Sequence, residues 1–256
     1  QLAEKGLGNV SPNPMVGALL VCDGKIIGEG FHVQSGSPHA EVNAINNVKN
    51  QQLLPFSTIY VSLEPCSHFG KTPPCSDLIV KKKIPKVVVG CIDPFSEVSG
   101  KGIQKLISNG IDVKIGVLEE ACENSHKRFF TFHTKKRPFI ILKWAESNDG
   151  FLSPETKNEQ IPVWLTNVYS RQFVHKLRSE ESAILVGTQT AIDDNPSLNT
   201  RDWFEKNPVR LYIDRENKLS ETLNLKDGSV PTICFTSKKL ESKENLKFET
   251  IDFDKN

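Results

Sequence analysis

Three side chains far apart along the chain set the strongest condition on its fold. They are His39, followed by Ala40-Glu41, Cys66, preceded by Glu64-Pro65, and Cys75. One imidazole and two thiols suit a tetrahedral cation only if they converge in one coordination sphere. The local patterns say how they can. Thr58–Leu63 is a β-branched and aromatic run, which predicts a strand ending just before Glu64. His39–Lys49 and Cys75–Lys83 predict helices that open at the histidine and at the second cysteine. A strand end facing two helix starts belongs to an α/β layered arrangement, with helices packed on a sheet. A helix start also favours negative charge and so helps to keep the Cys75 thiolate ionised.

The rest of the chain continues the alternation. Met15–Cys22 and Lys25–Val33 predict a hairpin about Asp23-Gly24. Lys86–Cys91 and Asp112–Gly116 predict strands, Gly102–Asn109 a helix closed by Gly110, and Leu118–Thr134 one long helix. Lys135-Lys136-Arg137-Pro138, a basic stretch closed by proline, is the predicted boundary, giving domains 1–136 and 137–256. Beyond it the patterns predict strands Phe139–Trp144, Val163–Thr166, Ala183–Gly187, Val209–Asp214 and Pro231–Thr236, and a helix over Tyr169–Arg178. The tail Lys238–Asn256 is polar and weakly patterned.

The residue types at the converging positions carry a specific chemistry. His-x-Glu followed by Pro-Cys and a second Cys is the pattern of zinc-dependent nucleobase deaminases. Three protein ligands leave the fourth position of zinc open to a water, whose pKa the metal lowers to roughly 7. Glu41 is then the expected proton shuttle rather than a ligand. The spacing is unusual, because eight residues separate Cys66 from Cys75 where that pattern usually has two. Two other readings stay open. His68 could serve as a fourth ligand, making a zinc-stabilised binding module without catalysis, or the substrate could be a free base or nucleoside. Nucleic-acid editing fits poorly, since the net charge is +1 and no basic, aromatic groove pattern is present. No apolar run is long enough to cross a membrane as a helix, and the N-terminus is neither a signal nor a transit peptide; it reads as the last turns of a helix already under way. The six cysteines are scattered, and Cys22, Cys91 and Cys234 lie in or end apolar runs, which suits reduced core thiols and a cytoplasmic location.

Asn9–Gly17 (Asn-Val-Ser-Pro-Asn-Pro-Met-Val-Gly), His39-Ala40-Glu41, Glu64–Cys75 (Glu-Pro-Cys-Ser-His-Phe-Gly-Lys-Thr-Pro-Pro-Cys) and Asp93-Pro94 with Gly100-Lys101-Gly102 closely resemble the bifunctional riboflavin-biosynthesis deaminase–reductases. The resemblance runs over essentially the whole chain. It implies a cytidine-deaminase-like three-layer α/β/α domain followed by a dihydrofolate-reductase-like α/β domain. It implies that the first domain removes an amino group from a diaminopyrimidinone ribosyl phosphate and that the second reduces the ribosyl group to ribityl with NADPH. By motif position, Asn13 and Asp93 contact the substrate, and His68 and Lys71 suit its phosphate. Phe95 departs from the family, which often has a polar Asn there.

In the second half, Lys143-Trp144-Ala145-Glu146-Ser147-Asn148-Asp149-Gly150 and Thr188–Leu198 resemble the reductase signatures. The resemblance places Ala145, Trp164, Thr190 and Asp194 on the cofactor side, and Arg178, Leu198 and Arg201 on the substrate side. Lys143 is the candidate for polarising the sugar or donating a proton. Pro162 stands where the family commonly has a serine. The family's reductase domain is longer than the 119 residues from Pro138 to Asn256, and no glycine occurs in Ser237–Asn256. The reductase half is therefore expected to be incomplete; if these 256 residues are the whole molecule it is expected to bind NADPH weakly, the alternative being that the protein has further residues. The expected partners are the phosphorylated pyrimidine and further copies of the chain, with neither nucleic acid nor membrane.

Overall fold

The computed structural model describes residues 1–69, 73–95, 99–156, 159–160, 162–204 and 206–255. They fall into two compact units, Gln1–Ile141 and Leu142–Asn256.

The first unit is built on a five-stranded sheet. Its elements are β1 (Gly17–Cys22), β2 (Lys25–Phe31), α1 (Ala40–Asn46), β3 (Thr58–Leu63), α2 (Cys75–Lys81), β4 (Lys86–Cys91), α3 (Lys101–Ser108), β5 (Asp112–Ile115), α4 (Glu119–Ser125) and α5 (Lys127–Lys135). The strand order is β2-β1-β3-β4-β5. β1 is antiparallel to β2 and β3, whereas β3, β4 and β5 run parallel. The β1–β2 hairpin turns where the composition requires it: Asp23 and Gly24 both take positive φ (49° and 71°), as a tight right-twisted hairpin demands.

Side-chain parity assigns the layers. Ile59 and Val61 on β3 and Val87 and Val89 on β4 share a core with Ala40, Ala44 and Ile45 of α1, Ile79 of α2 and Leu106 of α3. Gly90, on the opposite face of β4, leaves room for α4: a Cβ there would lie 2.3 Å from Cys122 Sγ. Hence α1, α2 and α3 cover one face and α4 the other, a three-layer α/β/α unit. The expected single helix over 118–134 is instead two, α4 and α5, interrupted at His126. That residue leaves helical geometry (φ −93°, ψ 11°), and its ring is almost wholly buried and stacked on Phe130. Burying the ring bends the chain.

The second unit contains α6 (Val168–Glu180), β6 (Ala183–Val186), α7 (Thr188–Asp194), β7 (Val209–Ile213), β8 (Thr232–Thr236) and β9 (Leu246–Thr250). The strands form an all-parallel sheet in chain order. Its core gathers Ala191, Leu198, Tyr212, Leu219, Leu223, Leu225, Cys234 and Leu246. Two predicted strands do not form. Phe139–Trp144 and Val163–Thr166 have no ladder partner among the described residues, and β propensity is realised only when a neighbour supplies one. After the second of these, the Asn167 side chain accepts a hydrogen bond from Ser170 N and starts α6. Conversely, β9 lies in the polar tail, where Leu246 and Phe248 alternate toward the core. All six cysteines are free, with Cys22, Cys91 and Cys234 buried.

Candidate active site

His39 is the N-cap of α1, Cys66 follows the end of β3, and Cys75 opens α2. The parallel β3–α2–β4 crossover brings the two cysteines together, and α1 lays His39 beside them. His39 Nδ1 lies 3.5 Å from Cys66 Sγ and 3.4 Å from Cys75 Sγ. The three donor atoms lie within 4.8 Å of one another, the one such group among the described residues. One imidazole nitrogen and two sulfurs at this spacing fit a zinc ion. His68 is exposed and outside the group, so the four-ligand arrangement does not form.

The electrostatics match that donor set. A hydrogen bond from the Cys75 thiol lowers the Cys66 pKa to about 4, with further help from His39, while the same hydrogen bond pushes Cys75 up. The pair thus shares one proton, which a dication replaces. The Cys66 hydrogen bond also raises His39. Cys66 is held on two further sides, its Sγ accepting from Cys75 N (3.3 Å) and its carbonyl from Ser76 N (3.1 Å).

Glu41, in the first turn of α1, is 3% exposed. Burial, and then the Cys66 charge, push its carboxyl up to about 7. A carboxyl poised there both gives and takes a proton near neutrality. Asp93, beyond the end of β4, is buried too and is raised to about 6, chiefly by that burial; its Oδ1 accepts from Phe95 N (2.8 Å). Asn13 is half-buried on the loop before β1, with Nδ2 3.1 Å from His32 Nε2. Lys71 lies outside the described residues.

Sequence reasoning passed over His32. Its ring is buried and sits edge-on to His39, with centroids 5.4 Å apart. Its Nδ1 faces the Pro38 carbonyl at 3.2 Å, which can only accept, so Nδ1 carries the proton and Nε2 accepts from Asn13. Burial lowers its pKa, which keeps the ring neutral. No spacing rule flags a histidine just beyond a strand end. Glu64, named only as part of a motif, is also buried, and its carboxylate takes backbone N–H groups from a neighbouring helix.

In the second unit the expected substrate-side residues come together. Arg178 on α6 donates to the Asn199 carbonyl (2.9 Å), and Arg201 donates to the Asn199 side chain (3.2 Å). Leu198 is buried beside them in sequence. Burial, and then the Arg201 charge, lower Arg178 to about 10, and its Nε is buried without a protein partner. Both guanidinium groups are thus hydrogen-bonded to Asn199, which brings two positive charges to that residue. His175, another residue the sequence did not flag, accepts from Arg201 N at 3.3 Å, and its Nε2 lies 3.4 Å from an Asp202 carboxylate oxygen. On the expected cofactor side, Thr190 and Asp194 share α7, Ala145 is half-buried, and exposed Trp164 stacks under Arg171 (4.6 Å). Lys143 is exposed.

Comparison with known proteins adds a second line of evidence. Residues 1–91 match the cytidine and deoxycytidylate deaminase zinc-binding region, and residues 138–255 match the RibD C-terminal domain. The riboflavin biosynthesis protein RibD of Aquifex aeolicus is 44% identical, over 96% of this chain and 68% of the relative. That of Synechocystis sp. is 39% identical, over 98% of this chain and 68% of the relative. A diaminohydroxyphosphoribosylaminopyrimidine deaminase/5-amino-6-(5-phosphoribosylamino)uracil reductase from Thermotoga maritima has the same fold, with a TM-score of 0.89 and 42% identity over 98% of this chain and 72% of that one. The chain thus spans about two thirds of the length of these relatives.

Proposed function

The chain belongs to the family of bifunctional riboflavin-biosynthesis deaminase–reductases, and from that premise we propose that its first unit deaminates a 2,5-diamino-6-ribosylaminopyrimidinone 5′-phosphate and its second reduces the product with NADPH. The observation that carries the deaminase reading is the convergence of His39, Cys66 and Cys75 beside buried Glu41.

His39, Cys66 and Cys75 would hold the zinc. Bound there, the ion supplies the Lewis acidity that makes a water nucleophilic at neutral pH. Glu41 moves the protons: its carboxylate accepts one from the water and gives it to the ring nitrogen, then takes a second from the newly added hydroxyl and gives it to the departing amine. His32 commits the Asn13 amide N–H, leaving the Asn13 carbonyl oxygen to accept from a substrate amine. Asp93 offers a second acceptor, and His68 and Lys71 take the phosphate.

In the second unit, Arg178 and Arg201 hold the phosphate of the same compound, with Leu198 against its apolar side; their pairing around Asn199 supports this. Ala145, Trp164, Thr190 and Asp194 would line the NADPH side, where the cofactor would supply hydride, and Lys143 would polarise the opened sugar or donate a proton to it. We place the boundary between the activities at 136/137 and the assembly as a homo-oligomer. Among the described residues, no helix is long and apolar enough to cross a membrane.

The deciding experiment is ammonia release from the diaminopyrimidinone phosphate, measured with and without a zinc chelator, followed by NADPH oxidation on the product. Release that requires zinc and the 5′-phosphate is expected. Equal turnover of a free base or nucleoside would replace the substrate assignment.

A further inference from the structure

The backbone of Gly100-Lys101-Gly102 faces a buried carboxylate. Glu64 is 4% exposed. Its Oε1 accepts from Gly102 N (2.8 Å) and Ile103 N (3.4 Å), at the start of α3. Its Oε2 accepts from Gly100 N (2.9 Å) and Asp93 N (3.4 Å). A buried carboxylate with its lone pairs met by fixed backbone donors is held in one geometry. The packing around it is equally tight, since a Cβ on Gly102 would lie 1.9 Å from the Pro65 carbonyl oxygen. Glu64 N in turn donates to Cys91 O at the end of β4 (3.0 Å).

Only Pro65, whose ring fixes φ, lies between this anchor and the Cys66 sulfur. The contacts from α2 secure Cys66 on its C-terminal side, and Glu64 is the one side chain that secures the N-terminal side by a set of directed bonds among those described. The same carboxylate holds the backbone of Asp93. We infer that Glu64 is a positioning residue that ties the Cys66 ligand and Asp93 to the start of α3, so that metal affinity and substrate placement depend on one carboxylate that touches neither. The inference rests on the zinc reading proposed above.

The test uses the full chain and zinc itself, titrated against a chromogenic chelator, with Co²⁺ substitution as a spectroscopic readout. The parent protein binds one zinc; failure there would remove the zinc reading rather than this inference. Glu64→Gln turns one acceptor oxygen into a donor facing backbone N–H groups. It is expected to weaken zinc binding about 10- to 100-fold, the usual effect of losing a group that orients a ligand. It should also shift the thiolate-to-cobalt absorption. Leu54→Ala, in the core of the same unit, is the control for stability alone: matched for loss of Tm, it should leave affinity and spectrum unchanged. An unchanged affinity and spectrum in Glu64→Gln, or an equal loss in Leu54→Ala, would overturn the inference. If Glu64→Gln does not fold, Glu64→Asp, which keeps the charge one methylene short, takes its place. If neither folds, Glu64 is a requirement of the fold and its positioning role is rejected.

Discussion

Acid should weaken the first unit through one buried ring. His126, between α4 and α5, is 1% exposed and stacked on Phe130. Burial lowers its pKa to about 4, and the nearby Ser62 backbone offsets this only in part. An unfolded histidine titrates near 6.5, so between the two values the unfolded chain binds a proton that the folded chain refuses. Stability contributed by the neutral ring is therefore intact above the unfolded pKa and is lost progressively as pH falls toward the folded one. Linkage with these two values gives a loss of about 2 kcal/mol between about pH 7.5 and about pH 5. Asp93 and Glu41, both raised, titrate in the opposite sense over part of that range, so the bare profile of the parent protein mixes them. Comparison with His126→Leu isolates the ring, because the cost of the substitution does not vary with pH and the carboxylate terms are common to both proteins. Trp144, Trp164 and Trp203 all lie in the second unit and do not report on the first. Hydrogen exchange in β3 and β4, read by mass spectrometry, follows the first unit directly. The parent should lose about 2 kcal/mol more than the variant on acidification. Profiles that run parallel within about 0.5 kcal/mol would show that the ring protonates in the folded state and that burial does not govern it.

Glu41→Gln should retain zinc by metal analysis while deamination falls by about 10²-fold or more, the scale of losing a general acid–base group; near-normal turnover would remove Glu41 from the mechanism. Lys71→Ala should raise the deaminase KM far more than it lowers kcat, as loss of binding remote from the reacting carbon does. Steady-state kinetics on phosphorylated and dephosphorylated substrate check this. Arg210 on β7 is fully buried and donates to Thr232, Ser197 O, Asn224 O, Asp227 and Val230 O. Arg210→Met should destabilise the second unit by about 1–3 kcal/mol, the cost of leaving buried acceptors such as the Thr232 hydroxyl and the Val230 carbonyl without their donor, since Asp227 is exposed enough to be solvated. Urea titration followed by tryptophan fluorescence measures it, and a loss under about 1 kcal/mol would mean that the network is slack.

The first unit was far more legible in sequence than the second, for physical reasons. Asp23-Gly24 forces a hairpin by backbone sterics alone, and Thr58–Leu63 with Lys86–Cys91 are apolar enough to be buried strands in any context. His39, Cys66 and Cys75 carried their own geometry, because the chemistry works only when they meet. What escaped depends on partners that a linear pattern does not encode. His126 breaks a run of good helix formers because its ring finds a buried site. Phe139–Trp144 has strand composition without a strand beside it, while Leu246–Thr250 has a polar composition and pairs with β8. His32 and Glu64 work through hydrogen bonds to Asn13 and to backbone amides, and neither leaves a spacing to read.

The second unit's parallel sheet also bears on how the chain is made. Because β6, β7, β8 and β9 lie side by side in the order of synthesis, each strand after β6 docks on the strand released just before it. The first unit lacks this property, since β1 sits between β2 and the later β3. At about 5–20 residues per second, translation leaves the interval between β7 and β8 long compared with local docking. The sheet should therefore grow stepwise on the ribosome, and arrest-peptide force measurements should register a separate step for each of these strands; a single step after β9 would refute stepwise growth. Until β9 emerges, the nascent sheet ends in the unpaired edge of Thr232–Thr236, and at that stage it is most open to pairing with another nascent chain.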